Sequence, residues 1–143
     1  MIDLNFSTFI NRPVTQVFDF ISTTKNDVHW QYGALASNQT SKGSIGAGTL
    51  FESLGHFLGR RVQSNFEITE YEPNRKYGYK SVTGPIEIRT SYTFEIIQGG
   101  TCVTASTQLH QNNFFKVPDA IVAISAKKQF KENLANLKSL LEV

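Results

Sequence analysis

The chain has 143 residues, 40% of them hydrophobic and 18% charged, which suits one packed core and argues against a disordered segment. Its net charge is +2 and the basic runs stop at pairs such as Arg60-Arg61 and Lys127-Lys128; neutralising several phosphates needs a basic stripe, so no nucleic-acid partner is expected. The lone Cys102 excludes an internal disulfide and any multi-cysteine metal or iron–sulfur site.

The first residues alternate. Ile2, Leu4, Phe6, Thr8 and Ile10 share one parity and Asp3, Asn5, Ser7 and Asn11 the other, the pattern of a strand with one buried face. The period then changes: Val14, Val17, Phe18 and Ile21 form a helical stripe, with Asn11 expected as N-cap and Pro13 in the first turn. Residues Ser22 to Gly33 read as a second short helix, capped by Thr23 or Thr24 and anchored by Trp30. The N-terminus lacks a basic region followed by an apolar one, and no apolar run approaches the roughly 18 residues of a membrane span. The expectation is a soluble, cytoplasmic protein without an integral membrane segment.

A weak strand, Leu35 to Thr40, precedes a glycine-punctuated turn from Lys42 to Gly48. That turn lacks the Gly-Lys-Ser/Thr ending of a phosphate loop. Thr49 to Tyr71 reads as two strands broken near Gly59-Arg60, and Lys76 to Val82 as another. The clearest strand is Ile86 to Ile97, with Ile86, Ile88, Thr90, Tyr92, Phe94 and Ile96 on one face. Gln98-Gly99-Gly100 turns it into Thr101 to Gln111, whose Val103, Ala105, Thr107 and Leu109 share a face. A loop containing Phe114-Phe115 leads to a long helix opening at Val117-Pro118-Asp119, with Ile124, Phe130, Leu134, Leu137 and Leu141 as its expected buried stripe. A sheet with one apolar face needs a cover, and this helix is the element long enough to supply it.

Several of these pieces together resemble the START-related superfamily, which includes the birch-pollen allergen fold, and within it the bacterial polyketide cyclase/dehydrase-like family. They are Asn11-Arg12-Pro13 with Val17-Phe18, Trp30, Gly46 to Gly48, Ile68-Thr69-Glu70-Tyr71-Glu72-Pro73, Tyr92-Thr93-Phe94 with Gly99-Gly100-Thr101, and the terminal helix. The resemblance implies an α+β helix-grip fold over residues 1–143 as a single domain. In it, a curved antiparallel sheet of about six or seven strands wraps a long C-terminal helix, with two short helices after the first strand. Members of the superfamily bind lipids, sterols, polyketides or plant hormones, some cyclise or dehydrate polyketides, and others act as protein partners. A fold so widely reused leaves function to be argued from its site.

Three functions follow as expectations. The first is binding of a small hydrophobic or amphipathic, lipid- or polyketide-like molecule between sheet and C-terminal helix, with no cofactor. Ala120, Ala123 and Ala126 lighten the helix, and small residues facing a concave sheet leave volume. Candidate ligand-binding residues are Phe66, Ile68, Tyr79, Ile88, Thr90, Tyr92, Phe94, Ala123, Ala126 and Phe130. The second is a cofactor-free cyclase or dehydratase using His56, with Glu52 on its parity and a pocket tyrosine. Phe51 and Phe57 compete for the inward face of that strand, so its parity stays open. The third is a protein-interaction module using Phe114 and Phe115, which otherwise tuck under the last helix. His29, His56 and His110 have no HxH or HxxxH spacing, so no metal site is expected.

Overall fold

A computed structural model describes residues 1–143. The elements run β1 (Ile2–Ile10), α1 (Val14–Ser22), a 3-10 turn (Thr24–Asn26), α2 (Asp27–Trp30), β2 (Ala34–Gln39), β3 (Leu50–Phe57), β4 (Arg60–Glu72), β5 (Lys76–Thr83), β6 (Glu87–Ile97), β7 (Gly100–His110) and α3 (Asp119–Leu141). All seven strands form one antiparallel sheet in the order β1-β7-β6-β5-β4-β3-β2. From β2 onward the chain meanders strand by strand and ends against β1.

Local chemistry sets the turns and bends. Gln98 and Gly99, between β6 and β7, both adopt positive φ, as a tight type I′ hairpin requires. Register shifts interrupt β2–β3 at Ala34/Ala36 and β4–β5 at Asn65/Phe66 and Ile68/Glu70. Bulges increase twist and bend the strand that carries them, which curves this half of the sheet around its buried face.

Helix α1 starts later than expected. Pro13, with ψ 147°, is its N-cap and no side chain caps it. Asn11 is not the cap, because Arg12 precedes a proline and is thereby disfavoured from the helical region. Instead, the Asn11 backbone N–H donates to Glu142 Oε2 at 2.8 Å, pinning the end of α3 to the corner between β1 and α1.

The expected buried stripe of α3 holds at Phe130, Leu134, Leu137 and Leu141 and fails at Ile124. Its buried residues are Val122, Ala126, Asn133, Leu134, Leu137 and Leu141, while Ile124 is 68% exposed. Two residues along a helix turn the side chain by about 200°, so seating Val122 among Ile2, Leu4 and Phe115 sends Ile124 outward. On β6 the apolar face holds except at its outermost residue, Ile96, which is 70% exposed.

Two apolar clusters hold the layers together. The larger joins Val17, Phe18 and Ile21 of α1 and Trp30 to the inner face of β4–β7 and to Leu134, Leu137 and Leu141 of α3. The smaller centres on Ile2, Leu4, Ile86, Phe115, Val122 and Ala126. Between them, under the middle of α3, lies a cavity.

Candidate ligand-binding cavity

The cavity has a volume of about 210 Å³. The inner faces of β3 to β7 form its walls, α3 covers it, and the α2–β2 connection lies at its rim. Phe51 and Phe57 of β3, Val62 and Phe66 of β4, Ile86, Ile88 of β6 and Leu109 of β7 supply apolar surface. Ala126 and Phe130 face them from α3. Phe51, Phe66 and Tyr79 pack mutually, with ring centroids 5.1–5.4 Å apart, which makes this wall stiff.

The polar lining is neutral or acidic. Asp27 and Gln31 come from α2 and its C-cap, Tyr79 from β5, and Asn133 from α3. The hydroxyls of Thr90 and Thr107 pair across β6–β7 at 2.9 Å. Ser64 is buried, and its hydroxyl has no protein partner. Lys and Arg are absent from the lining.

Asp27 is the most perturbed group. The Ser37 hydroxyl donates to its Oδ2 at 3.3 Å, the one hydrogen bond its carboxyl makes. Burial disfavours the charged form and pushes its pKa from 3.8 up to about 8, against a small opposing effect of the Ser37 bond. Burial likewise raises the Tyr79, Tyr77 and Tyr92 phenols, which remain neutral donors. For Tyr79 the nearby polar groups of Thr90, Tyr92 and Gln31 oppose part of that effect. Tyr79 and the Asp27 carboxyl thus border the same cavity, with Tyr77 and Tyr92 packed in the larger cluster behind them.

Of the expected lining residues, Phe66, Tyr79, Ile88, Thr90, Ala126 and Phe130 border the cavity. Ile68, Tyr92 and Phe94 do not; they are buried in the larger cluster beside α1 and Trp30. Ala123 also lies outside, because the phase of α3 turns it toward a surface groove shared with Ile2 and Ile124.

The parity of β3 is that of Phe51. Phe51, Ser53, Gly55 and Phe57 face inward, so Glu52 and His56 fall on the outer face. His56 is exposed and reaches the cavity rim through its backbone, and Glu52 Oε2 accepts a 3.2 Å hydrogen bond from exposed Gln63. The expected His56–Glu52 acid–base pair therefore does not address the interior.

The Phe114-Phe115 pair is tucked in. Phe115 is buried, edge-on to Phe57 at 5.3 Å, and Phe114 lies under the Arg60 guanidinium, 4.0 Å from its ring centroid. No group of three His, Cys, Asp or Glu side chains is arranged to hold a metal. No helix is long and apolar enough to cross a membrane.

Sequence reasoning missed Asp27, Gln31, Ser64 and Asn133. For the first two a signal existed: Asp27, Trp30 and Gln31 are spaced i, i+3, i+4, so a carboxyl shares a helical face with the anchoring tryptophan. Ser64 shares the parity of Phe66 and Ile68.

A seven-stranded antiparallel sheet gripping a long C-terminal helix defines the helix-grip class shared by START and birch-pollen-allergen-like proteins. The family model described as "Polyketide cyclase / dehydrase and lipid transport" matches residues 1–142, and the chain belongs to that family. Among solved structures, a START superfamily protein from Mycobacterium smegmatis superposes with a TM-score of 0.83 at 9% identity, covering 98% of this chain and 97% of that one. TTHA0849 from Thermus thermophilus gives 0.82 at 14% identity, covering 96% and 94%. The di-domain ARO/CYC BexL from the BE-7585A biosynthetic pathway gives 0.75 at 14% identity, with 99% of this chain matching 50% of that one. At such identities the likeness is one of fold. No curated protein is a significant match to the sequence.

Proposed function

We propose that the chain binds a small hydrophobic or amphipathic molecule, lipid- or polyketide-like, in the cavity between sheet and α3. The observation that carries this reading is a cavity lined mainly by apolar side chains with a small set of polar groups, Asp27, Gln31, Ser64, Tyr79 and Thr90 among them, the lining expected of a small-molecule site. Its 210 Å³ lies below the roughly 300–1,000 Å³ of typical ligand pockets, which favours a compact ligand such as a fused bicycle or a short acyl chain. The family description, which includes both cyclisation and lipid transport, supports a ligand of this kind. A cyclase or dehydratase built on His56 and Glu52 loses support from their outward placement. A partner contact through Phe114 and Phe115 loses it from their packing.

The test is native mass spectrometry with organic extraction, on protein from its own host, for the wild type and Ala126→Phe. Ala126 is buried and borders the cavity, so phenylalanine there occupies ligand volume. A small molecule retained by the wild type and missing from the variant supports the reading. A molecule held equally by both would place binding elsewhere.

A further inference from the structure

We infer that the cavity recognises a neutral carbonyl compound, a ketone, enone or ester, through donors from Asp27 and Tyr79 to its oxygen. This inference rests on the cavity-binding reading above and specifies the chemical class of the ligand.

The two groups come from different layers. Asp27 opens α2 and Tyr79 lies mid-β5, yet both border the same cavity. Only Ser37 Oγ bonds the Asp27 carboxyl, at a long 3.3 Å and on Oδ2, so Oδ1 has no hydrogen-bond partner within the protein. Around them the walls are Phe51, Phe66 and Ile88, which suit the carbon skeleton that carries such an oxygen.

Charge decides among ligand classes. An anion would meet no Lys or Arg in the lining and would face a carboxyl instead. A cation would require the carboxylate form, which burial at this site disfavours. A neutral acceptor needs only what the site presents: a carboxyl kept protonated by its apolar surroundings is a hydrogen-bond donor, and the tyrosine hydroxyl is a second.

The titratable groups facing Asp27 are Tyr77 and Tyr79 from β5 and Tyr92 from β6, all neutral through the physiological range. The β2 contribution is the Ser37 hydroxyl, and α3 presents Ala126, Phe130, Gln129 and Asn133 to the cavity. His29, on the same short helix, is exposed. His56 of β3 also borders the cavity, with its side chain on the outer face, so a pH response that persists in His56→Gln belongs to Asp27.

The experiment titrates wild-type protein, followed by NMR, with three probes of one skeleton: tetralin, α-tetralone and aminotetralin. The expected result is α-tetralone binding about tenfold tighter than tetralin near neutral pH, an advantage falling about tenfold per pH unit once the carboxyl ionises. Asp27→Asn, which keeps an N–H donor, should hold the preference and lose its pH dependence. Asp27→Leu should bind tetralin and lose the preference. Equal binding of tetralin and α-tetralone leaves the cavity-binding reading standing and overturns the carbonyl assignment. Aminotetralin binding tightest, with α-tetralone no better than tetralin, overturns it in favour of a cation site. Failure of all three probes to bind overturns both readings.

Discussion

The backbone N–H of Tyr32 donates to Asn133 Oδ1 at 2.7 Å, joining the α2–β2 connection to the middle of α3. Gln129 Nε2, one turn earlier on α3, donates to the Tyr32 carbonyl. Both backbone groups of one residue at the cavity rim are thereby held by the covering helix, while the Tyr32 ring is 64% exposed. Asn133→Leu keeps the branching and number of side-chain heavy atoms and removes the acceptor, leaving the amide unpaired. The expected cost is about 1–3 kcal/mol, read by urea unfolding. Ligand dissociation should also quicken, since the rim is less firmly held; unchanged stability would mean that water replaces Asn133 without loss.

Strand patterning was legible because strict alternation over β1, β6 and β7 admits one arrangement relative to a buried face. Helix α3 was legible in extent and over most of its buried stripe, where Phe130, Leu134, Leu137 and Leu141 face the interior; Ile124 does not. Its polar Asn133 faces inward to hold Tyr32 and its apolar Ile124 faces outward, so ranking positions by hydrophobicity alone admitted Ile124 and passed over Asn133. The site was harder. Whether β3 presents Phe51 or His56 to the interior depends on which residues it meets across the sheet, and only the register with β4 places Phe51 opposite Phe66.

The phase of α3 is testable by paired truncation. Leu137, fully buried, should cost about 2–5 kcal/mol as Leu137→Ala, through lost transfer energy and the space left behind. Ile124→Ala should change stability by no more than about 0.5 kcal/mol. Comparable losses from both, measured by chemical denaturation, would contradict the placement.

Gly33 enforces the rim from the other side. Its φ is +77°, and a Cβ built there would collide with the His56 carbonyl oxygen. The two backbones are this close because the His56 N–H donates to the Gly33 carbonyl at 2.8 Å, extending the β2–β3 pairing. Gly33→Ala should therefore cost about 2 kcal/mol or more, from left-handed strain and the clash together. Gly46→Ala, where the added carbon meets nothing within 4 Å, is the control and should be close to neutral. Equal effects in thermal unfolding would show that β2 shifts to accommodate the side chain.

Asp27 gives the fold a stability slope of defined sign. Its native pKa of about 8 lies above the 3.8 of the unfolded chain. Between those values the unfolded state has lost the proton that the native state keeps, so the unfolded state gains as pH rises. The contribution of neutral, half-buried Asp27 is fully present below the unfolded value and declines through the window, levelling off above the native one. Asp27→Asn cannot ionise and escapes this decline. The variant should match the wild type near pH 4 and exceed it near pH 7 by a few kcal/mol, in urea titrations at each pH. A constant difference across the range would show that the carboxyl ionises as freely in the fold as in the open chain. In that case Asp27 would meet the ligand as an anion, and its role as a donor to a carbonyl would fall with the slope.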